Sequence, residues 1–439
     1  MHQFFQYGFM ALLEPSNGIL RTNVSWDDLQ KAVYEAFGND AKFGPNKDAK
    51  DIGFVNGFLS KICLITPDWQ TELKHVPEKF VVKISSQMSY IECHGMLGEK
   101  DMEISMQDFS SAQDTKVKQL HNNEVTLYRI LEKYNVTNVA RPKVYYMREF
   151  SEDSPHEGFI IMEYVADRLP LHIYDNLTPS DISQVLRTIA SLQVAFLKFS
   201  EEDKALFTED IFGEINSKTV TKEHVKSMVD LMRKIGEGKL DETLNRLGKI
   251  IPEIADTNFA DHLPDILGMK RVLCHGDLWS TNLIWRKGEN CMQLASVIDF
   301  QTAHFGCPTT DIARLLNACL SAKDRRESWE VLLEKFYSYL SEEIGGGEIP
   351  YTLDQLKQGY RLYFPFSACM IVSVIAPLFE LANSSDDNGY RERVQELVLE
   401  KTKGLLEDTL KFHEENKEKM RKKYILERTH PVYTRFGPL

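Results

Sequence analysis

The sequence predicts an α+β protein of two lobes, a small strand-rich one followed by a larger, mostly helical one, and three observations carry that prediction. At 439 residues the chain is longer than a single core usually holds. Short apolar, β-branched runs crowd residues 53–165, whereas beyond Leu177 the apolar residues fall mainly at helical spacing. The exceptions are brief strand patterns between about 270 and 300, each ending on a polar, loop-forming motif. The boundaries that follow are a helical extension over 1–50, a small lobe with an antiparallel sheet over 51–165, a larger lobe over 166–425 and a tail over 426–439. A hinge near 164–176 joins the lobes.

Taken in order, SWDDLQKAVYEAF offers Ser25 as an N-cap, acids in the first turn, and apolar residues at 26, 29, 33 and 37, so a helix is predicted from Trp26 to Phe37. GFVNGFLSKICLITPDW runs from a glycine-punctuated turn into a strand, and EKFVVKIS (78–85) is a second strand. Met88 to Asp114 shows no clear period and reads as a long loop. A helix is expected over 117–134, then two strands, RPKVYYMREF and GFIIMEYV, joined by the turn-prone SEDSPHE. TPSDISQVLRTIASLQVAFLKF opens on a cap and continues as a long helix; helical patterns also fit 217–248, 326–343, 352–362 and 388–424.

Composition narrows the function. Apolar residues make up 43% and charged ones 27%, ordinary for a globular protein. A net charge of −13 with no long basic block argues against nucleic acid as a partner. Seven cysteines, odd in number and without a CxxC pair, indicate neither a disulfide framework nor a zinc site. The first eighteen residues lack a basic region ahead of their apolar ones, so no signal peptide is expected and a cytoplasmic location is. The longest apolar stretch, Phe364 to Phe379, is shorter than a bilayer span and contains Pro365 and Pro377, which favours a buried core helix over a membrane span.

The strongest chemical signal is KRVLCHGDLWSTNLIW followed by LASVIDFQTAHFG. Asp277 is followed five residues on by Asn282 and, after a short strand, by Asp299. Phosphoryl transfer from ATP needs a carboxylate to orient the acceptor hydroxyl and take its proton, and oxygen ligands to hold Mg²⁺ against the phosphates. These three residues supply that set, on loop tips at strand ends, where side chains converge readily. Each motif taken singly also fits a simple turn or a capping acid; together and in register they point to phosphoryl transfer.

CHGDLWSTN and VIDFQ resemble the catalytic loop and metal-binding segment of the aminoglycoside phosphotransferase and choline kinase group. Within it the chain is similar to the CHK-kinase-like, ecdysteroid-kinase-like family, above all its nematode-type domain-of-unknown-function branch, through FGPNKDAKDIG, PDW, EKFVVKI and CHGDLWSTNLIW. The resemblance runs from about Leu12 to about Lys419 and implies a bilobal, protein-kinase-like fold with nucleotide between the lobes. It implies Asp277 as catalytic base, Asn282 and Asp299 as Mg²⁺ ligands, and His275 and Asp311 as supports, with Asp311 capping the following helix and bracing the catalytic loop. Gln301 stands where protein kinases have the glycine after the metal-binding Asp-Phe pair, which argues against a protein substrate and an activation-loop switch.

The nucleotide's remaining contacts are expected in the strand-rich half. Alternation through Phe80, Val82 and Ile84 puts Lys83 on the opposite strand face, where it is either a solvent-facing strand residue or, standing where a kinase-type β3 lysine would, the contact to the α- and β-phosphates paired with Glu124. Gly53 and Gly57 would let backbone N–H groups approach phosphate, though the same loop also reads as an ordinary hairpin turn. Backbone groups of Glu163, Tyr164 and Val165 would meet the adenine edge, or simply end a strand. His304 and Cys307 lack a second ligand pair at zinc spacing, and YRLYFPF (360–366) is a candidate wall for the acceptor pocket. The resulting expectation is an ATP- and Mg²⁺-dependent enzyme that phosphorylates a small-molecule alcohol, steroid-like, lipophilic or xenobiotic. The alternative is a pseudokinase-like binding module without turnover.

Overall fold

The computed structural model describes residues 12, 15–53, 59–71, 75–86, 102–207, 222–289, 291–382 and 387–429. They form two compact units. The first comprises the described residues up to Leu171, those from Arg187 to Phe207, and Leu273–Phe305; the second comprises His172–Leu186, those from Lys222 to Val272, and those from Gly306 onward.

The first unit is organised by a five-stranded sheet of β1 (Asp48–Asp51), β2 (Ser60–Thr66), β3 (Phe80–Ser85), β4 (Val144–Arg148) and β5 (Phe159–Glu163). Its spatial order is β1-β2-β3-β5-β4, with every neighbouring pair antiparallel. Helix α1 (Trp26–Phe37) starts at a capping box: Ser25 Oγ accepts from the Asp28 N–H at 3.1 Å, and Asp28 Oδ2 accepts from the Ser25 N–H at 3.0 Å. Arg148 at the end of β4 donates to Asp28 Oδ1 at 3.1 Å, which fixes this helix end to the sheet. Leu29, Ala32 and Val33 of α1 share one core with Phe80, Val82, Ile84 and Ile161. β3 is buried along its whole length, so its alternate residues Val81 and Lys83 are covered as well.

Helix α2 (Met102–Lys133) is the first correction to the sequence reading, because its N-terminal part occupies residues assigned above to a loop. Met, Glu, Gln and Ala between 102 and 114 are good helix formers. Once the amphipathic 117–133 segment is nucleated by packing, propagation backwards needs propensity and no clean period. Strand β1 was likewise absent from the sequence reading; its polar DAKD pairs with β2 as an edge strand.

Helix α3 (Pro179–Leu197) begins at Thr178, whose Oγ1 accepts from the Asp181 N–H at 3.2 Å while Asp181 Oδ2 accepts from the Thr178 N–H at 3.0 Å. After the short α4 (Glu201–Ala205) come α5 (Lys222–Gly236), α6 (Asp241–Ile254) and α7 (Thr257–Leu267). The motif region then folds as β6 (Val272–Cys274), the antiparallel hairpin β7 (Leu283–Lys287) and β8 (Met292–Val297), and β9 (His304–Gly306) beside β6.

The second unit is helical. It is completed by α8 (Thr310–Cys319), α9 (Ala322–Ile344), α10 (Leu353–Ala382) and α11 (Asn388–Thr429). Helix α10 runs through Pro365 and joins the predicted 352–362 helix to the apolar stretch. Phe364, Ala368, Ile371 and Ile375, at helical spacing, are all buried, and Phe364 packs on Phe412 of α11 at 4.8 Å between ring centroids. Among the described residues no helix is long and apolar enough to cross a membrane. The chain is thus α+β, an antiparallel sheet first and a predominantly helical remainder after it.

Candidate active site

The three loop tips singled out in the sequence lie in the first unit and are bound to one another. Gly276 has φ +84°, and a Cβ placed there would come within 2.4 Å of the Thr302 carbonyl oxygen, so the HGD turn admits only glycine at its centre. The turn delivers Asp277 beside Asn282, whose Nδ2 donates to the Asp277 carbonyl at 2.7 Å and to Asp277 Oδ2 at 3.3 Å. With the amide nitrogen committed, the Oδ1 of Asn282 is the atom of its side chain that can act as a hard oxygen donor.

His275 joins this loop to the segment carrying Asp299. Its Nδ1 accepts from the Asp277 N–H at 3.2 Å, so the proton is on Nε2, which donates to the Ile298 carbonyl at 3.0 Å. The Ile298 N–H in turn donates to the Asn282 carbonyl at 3.0 Å, and Thr302 Oγ1 donates to the His275 carbonyl at 2.8 Å. Asp299 itself is held at φ 68°, ψ 58°. A left-handed conformation costs a residue other than glycine about 1 kcal/mol or more, a strain that persists only where neighbours over-determine it.

Lys83 closes the cluster. Its Nζ lies 2.5 Å from Glu124 Oε2 and 2.5 Å from Asp299 Oδ1, in a setting where Glu124 is fully buried and the Asp299 side chain stays 26% exposed. Burial pulls the ammonium's pKa down, but the carboxylates of Asp299 and Glu124 outweigh it and hold the pKa above lysine's usual value. Burial, aided by the charge on Asp299, raises Glu124 despite the attraction of Lys83. The lysine is therefore a permanent cation with one partner sealed in the core and the other facing partly outward. Glu124 Oε1 also accepts from the Phe300 N–H at 3.3 Å.

Of the other residues singled out in the sequence, Gly53 stands apart from this cluster. Its N–H donates to Asp51 Oδ1 at 2.9 Å, and an added Cβ would strike Ile62 at 2.6 Å, so its lack of a side chain serves sheet packing. Gly57 lies outside the described residues. Glu163, exposed at the end of β5, donates its N–H to the Lys143 carbonyl at 2.8 Å, with Tyr164 half-buried and Val165 buried after it. Asp311 belongs to the second unit, in the first turn of α8, where it is fully buried and its charge suits the helix N-terminus. His304 Nδ1 lies 3.0 Å from the Thr302 carbonyl oxygen. Asn123, which binds the segment after Asp299, and Thr302, which ties that segment to His275, were missed; nearness in sequence to Glu124 and Asp299 was their only signal.

Among the described residues no cluster of three or more His, Cys, Asp or Glu is arranged to hold a metal. Mg²⁺ does not need one, since it is usually held by one or two carboxylates and the oxygens of a bound phosphate. A carboxylate on Asp299 and an amide oxygen on Asn282, bonded through Ile298, fit that donor set. An open cleft of about 540 Å³ lies elsewhere in the first unit, between α2 and the β4–β5 connection, with Lys118, Asn122, Phe150 and Leu206 among its walls. None of Lys83, Asp277, Asn282 or Asp299 lines it.

Comparison with known proteins agrees with the motifs. The family model DUF1679, described as "Uncharacterized oxidoreductase dhs-27", matches residues 12–417. The Caenorhabditis elegans protein of that name is 22% identical over 338 residues, which cover 73% of this chain and 39% of that protein. The chain thus spans about two fifths of the length of this relative. A second C. elegans protein, "Uncharacterized kinase-like protein D1044.1", is 22% identical over 361 residues, covering 79% of this chain and 88% of its own. Among solved structures, choline kinase from Cryptosporidium parvum superposes with a TM-score of 0.43 at 12% identity, covering 86% of this chain and 91% of that one. By the match over residues 12–417, this chain belongs to the DUF1679 family, the branch its catalytic-loop motifs resemble.

Proposed function

We propose that the chain is an ATP- and Mg²⁺-dependent phosphotransferase acting on the hydroxyl of a small molecule. The observation that carries this reading is the buried Lys83 at 2.5 Å from both Glu124 and Asp299, with Asp299 bound through Ile298 to the Asp277–Asn282 loop. A permanent cation, a base and two oxygen ligands in one connected cluster are the parts that phosphoryl transfer requires of a protein. Sequence similarity to a kinase-like protein over most of both chains supports it.

In this reading Lys83 neutralises the α- and β-phosphates, and Glu124 keeps its ammonium in place. Asn282 and Asp299 would hold Mg²⁺, which would offset the negative charge of the β- and γ-phosphates that otherwise repels the attacking oxygen. Asp277 orients the acceptor hydroxyl and takes its proton as that oxygen bonds to the γ-phosphorus and the bond to the bridging oxygen breaks, leaving ADP. His275 holds the Asp277 amide and the Ile298 carbonyl at fixed separation, so the base and the metal ligand move as one body. The assignments of Gly53, Gly57 and Glu163–Val165 to nucleotide, of Asp311 to support, and of residues 51–165 and 166–425 to separate lobes are part of this proposal. So are a cytoplasmic location and a steroid-like, lipophilic or xenobiotic acceptor.

The oxidoreductase label of the longer relative does not carry over. This chain corresponds to 39% of that protein, and its sequence contains no GxGxxG dinucleotide fingerprint. The test is transfer of labelled γ-phosphate from ATP, with Mg²⁺, into a panel of steroid and xenobiotic alcohols and a metabolite extract. Asp277→Asn is expected to lower transfer about 10²–10⁴-fold, the usual contribution of a positioned base, with the thermal midpoint retained. Failure of the native chain both to bind Mg²⁺-ATP and to label any product would replace the enzyme with a ligand-binding module.

A further inference from the structure

Four consecutive residues of α2 bond to three segments of the chain: the end of β4, the turn after Asp299, and β3. His121 Nε2 lies 2.8 Å from the Arg148 carbonyl oxygen at the end of β4. Asn122 accepts from the Phe150 N–H at 2.8 Å and donates to the Phe150 carbonyl at 2.9 Å. Asn123 Nδ2 donates to the Gln301 carbonyl at 3.0 Å and to the Ala303 carbonyl at 2.7 Å. Glu124 takes Lys83 and the Phe300 N–H. Successive helix residues point about 100° apart, so one turn of α2 reaches the sheet on one side and the Asp299 segment on the other.

An amide nitrogen has two hydrogens, and Asn123 gives both to carbonyls two residues apart. The first carbonyl lies within the 3₁₀ turn Phe300–Thr302 and the second just after it, and that turn directly follows the left-handed Asp299. On the other side of Asp299, Ile298 is held through its N–H by Asn282 and through its carbonyl by His275. The backbone is therefore gripped on both flanks of a strained residue, and the grip on the C-terminal flank comes from two neighbouring side chains of one helix. Because the bonds go to carbonyls, residue 301 need not be glycine, and a glutamine there leaves the turn intact.

We infer that Asn123 is a positioning residue for the phosphotransfer reaction, fixing the Asp299 carboxylate where Mg²⁺ would be held by clamping the two carbonyls that follow it. The inference rests on the reading of the function given above. It distinguishes Asn123 from Asn122, whose two bonds tie the same helix to Phe150.

The test uses the full chain with Asn123→Ala, Asn123→Asp and Asn122→Ala. Two quantities are measured: hydrogen exchange of the amides from Phe300 to His304, and the Mg²⁺ concentration giving half-maximal transfer. Losing two ordinary hydrogen bonds is expected to raise both about tenfold in Asn123→Ala. Asn123→Asp keeps the size but turns a carboxylate on two carbonyl oxygens, so its effect should be larger. Asn122→Ala should leave both quantities within about twofold of the native chain, since the two bonds it removes go to Phe150 and not to the segment measured.

Unchanged exchange in Asn123→Ala, or an equal change in Asn122→Ala, overturns the clamp. Faster exchange with an unchanged Mg²⁺ requirement overturns its role in the reaction. If the native chain transfers no phosphate, the proposed function falls, and the exchange comparison alone still decides whether Asn123 holds the segment.

Discussion

Each unit of the molecule contains a lysine sealed in its interior, and the two are held in opposite ways. Lys83, on β3, lies between two carboxylates at 2.5 Å each, and its pKa is raised. Lys401, on α11, is fully buried and donates to the Ala318 carbonyl at 2.6 Å, near the end of α8. Burial, with the charge of Arg325, lowers it to about 8 against partial compensation by Cys319, Glu400 and Asp175. Desolvation alone takes charge off a buried lysine; a second carboxylate reverses the sign. Lys401 is a helix C-terminal cap that the helix dipole and one hydrogen bond make tolerable. Lys83 is over-supplied with negative charge, which has a purpose if a further anion is to be met there and one of the two carboxylates is to be shared with a metal.

The largest expected effect separates the two sites directly. Lys83→Met should reduce phosphate transfer about 10²–10³-fold, the range for removing one preorganised charge contact at a developing anion. It should also lower stability by about 3 kcal/mol, because it leaves Glu124 and Asp299 facing each other without their cation. Lys401→Met should leave transfer within about twofold and stability unchanged or raised, since replacing an isolated buried charge by an apolar group of similar length is often neutral or favourable. Labelled-ATP assays and thermal melts on the two variants check both halves. A loss of transfer in Lys401→Met at unchanged thermal midpoint would mean that the second lysine also serves the reaction.

A smaller effect is expected from weakening only one side of the Lys83 pair. Glu124→Gln keeps an oxygen for the Phe300 N–H and leaves Asp299 to hold the ammonium, so the lysine stays charged but is less firmly fixed. Loss of a charge-assisted hydrogen bond of about 1.5–3 kcal/mol corresponds to a ten- to hundredfold fall in transfer. The fall should appear in the KM for ATP as well as in kcat. A variant with native KM would place Glu124 in the fold and not in nucleotide contact.

The two lysines also differ in how far the sequence revealed them. Phe80-Val-Val-Lys83-Ile is a strand whose period of two alone puts a lysine opposite three core residues, and a lysine in that place needs a partner. Lys401 sits in VLEKTKGLL, an ordinary charged helical pattern; its burial depends on α8 lying against α11, which no local period encodes. The same division runs through the rest of the molecule. Strands β2 to β5, α1 with its Ser25 cap and the hairpin carrying Asn282 follow from local pattern and turn chemistry. The edge strand β1 and the N-terminal part of α2 form because a partner is already there, so their own residues show little. At the candidate site, the spacing of Asp277, Asn282 and Asp299 was readable because loop chemistry is local. The left-handed backbone of Asp299 and the bonds of Asn123 and Thr302 across about 180 and 27 positions of sequence were not.

The smallest expected effect lies in the pH dependence of stability, and here the two lysines should have separate windows. Lys401 titrates at about 8 in the folded chain and at its ordinary 10.5 when unfolded, so between those values the unfolded state binds more protons. Stability from this group therefore rises as pH rises from about 8 to about 10.5, by about 3 kcal/mol in all. Lys83 has the opposite sign: its folded pKa is above the unfolded one, so its contribution is complete below about 10.5 and is lost only at higher pH. Denaturant unfolding of the native chain and of Lys401→Met at pH 7, 8, 9 and 10 isolates the first window, because every other group cancels in the difference. The native chain should gain on the variant at each step above pH 8. A flat difference would show that Lys401 keeps its proton throughout, with the carbonyls at the end of α8 holding an ammonium as firmly as two carboxylates hold Lys83, and the contrast between the two units would then lie in their partners alone and not in their charge.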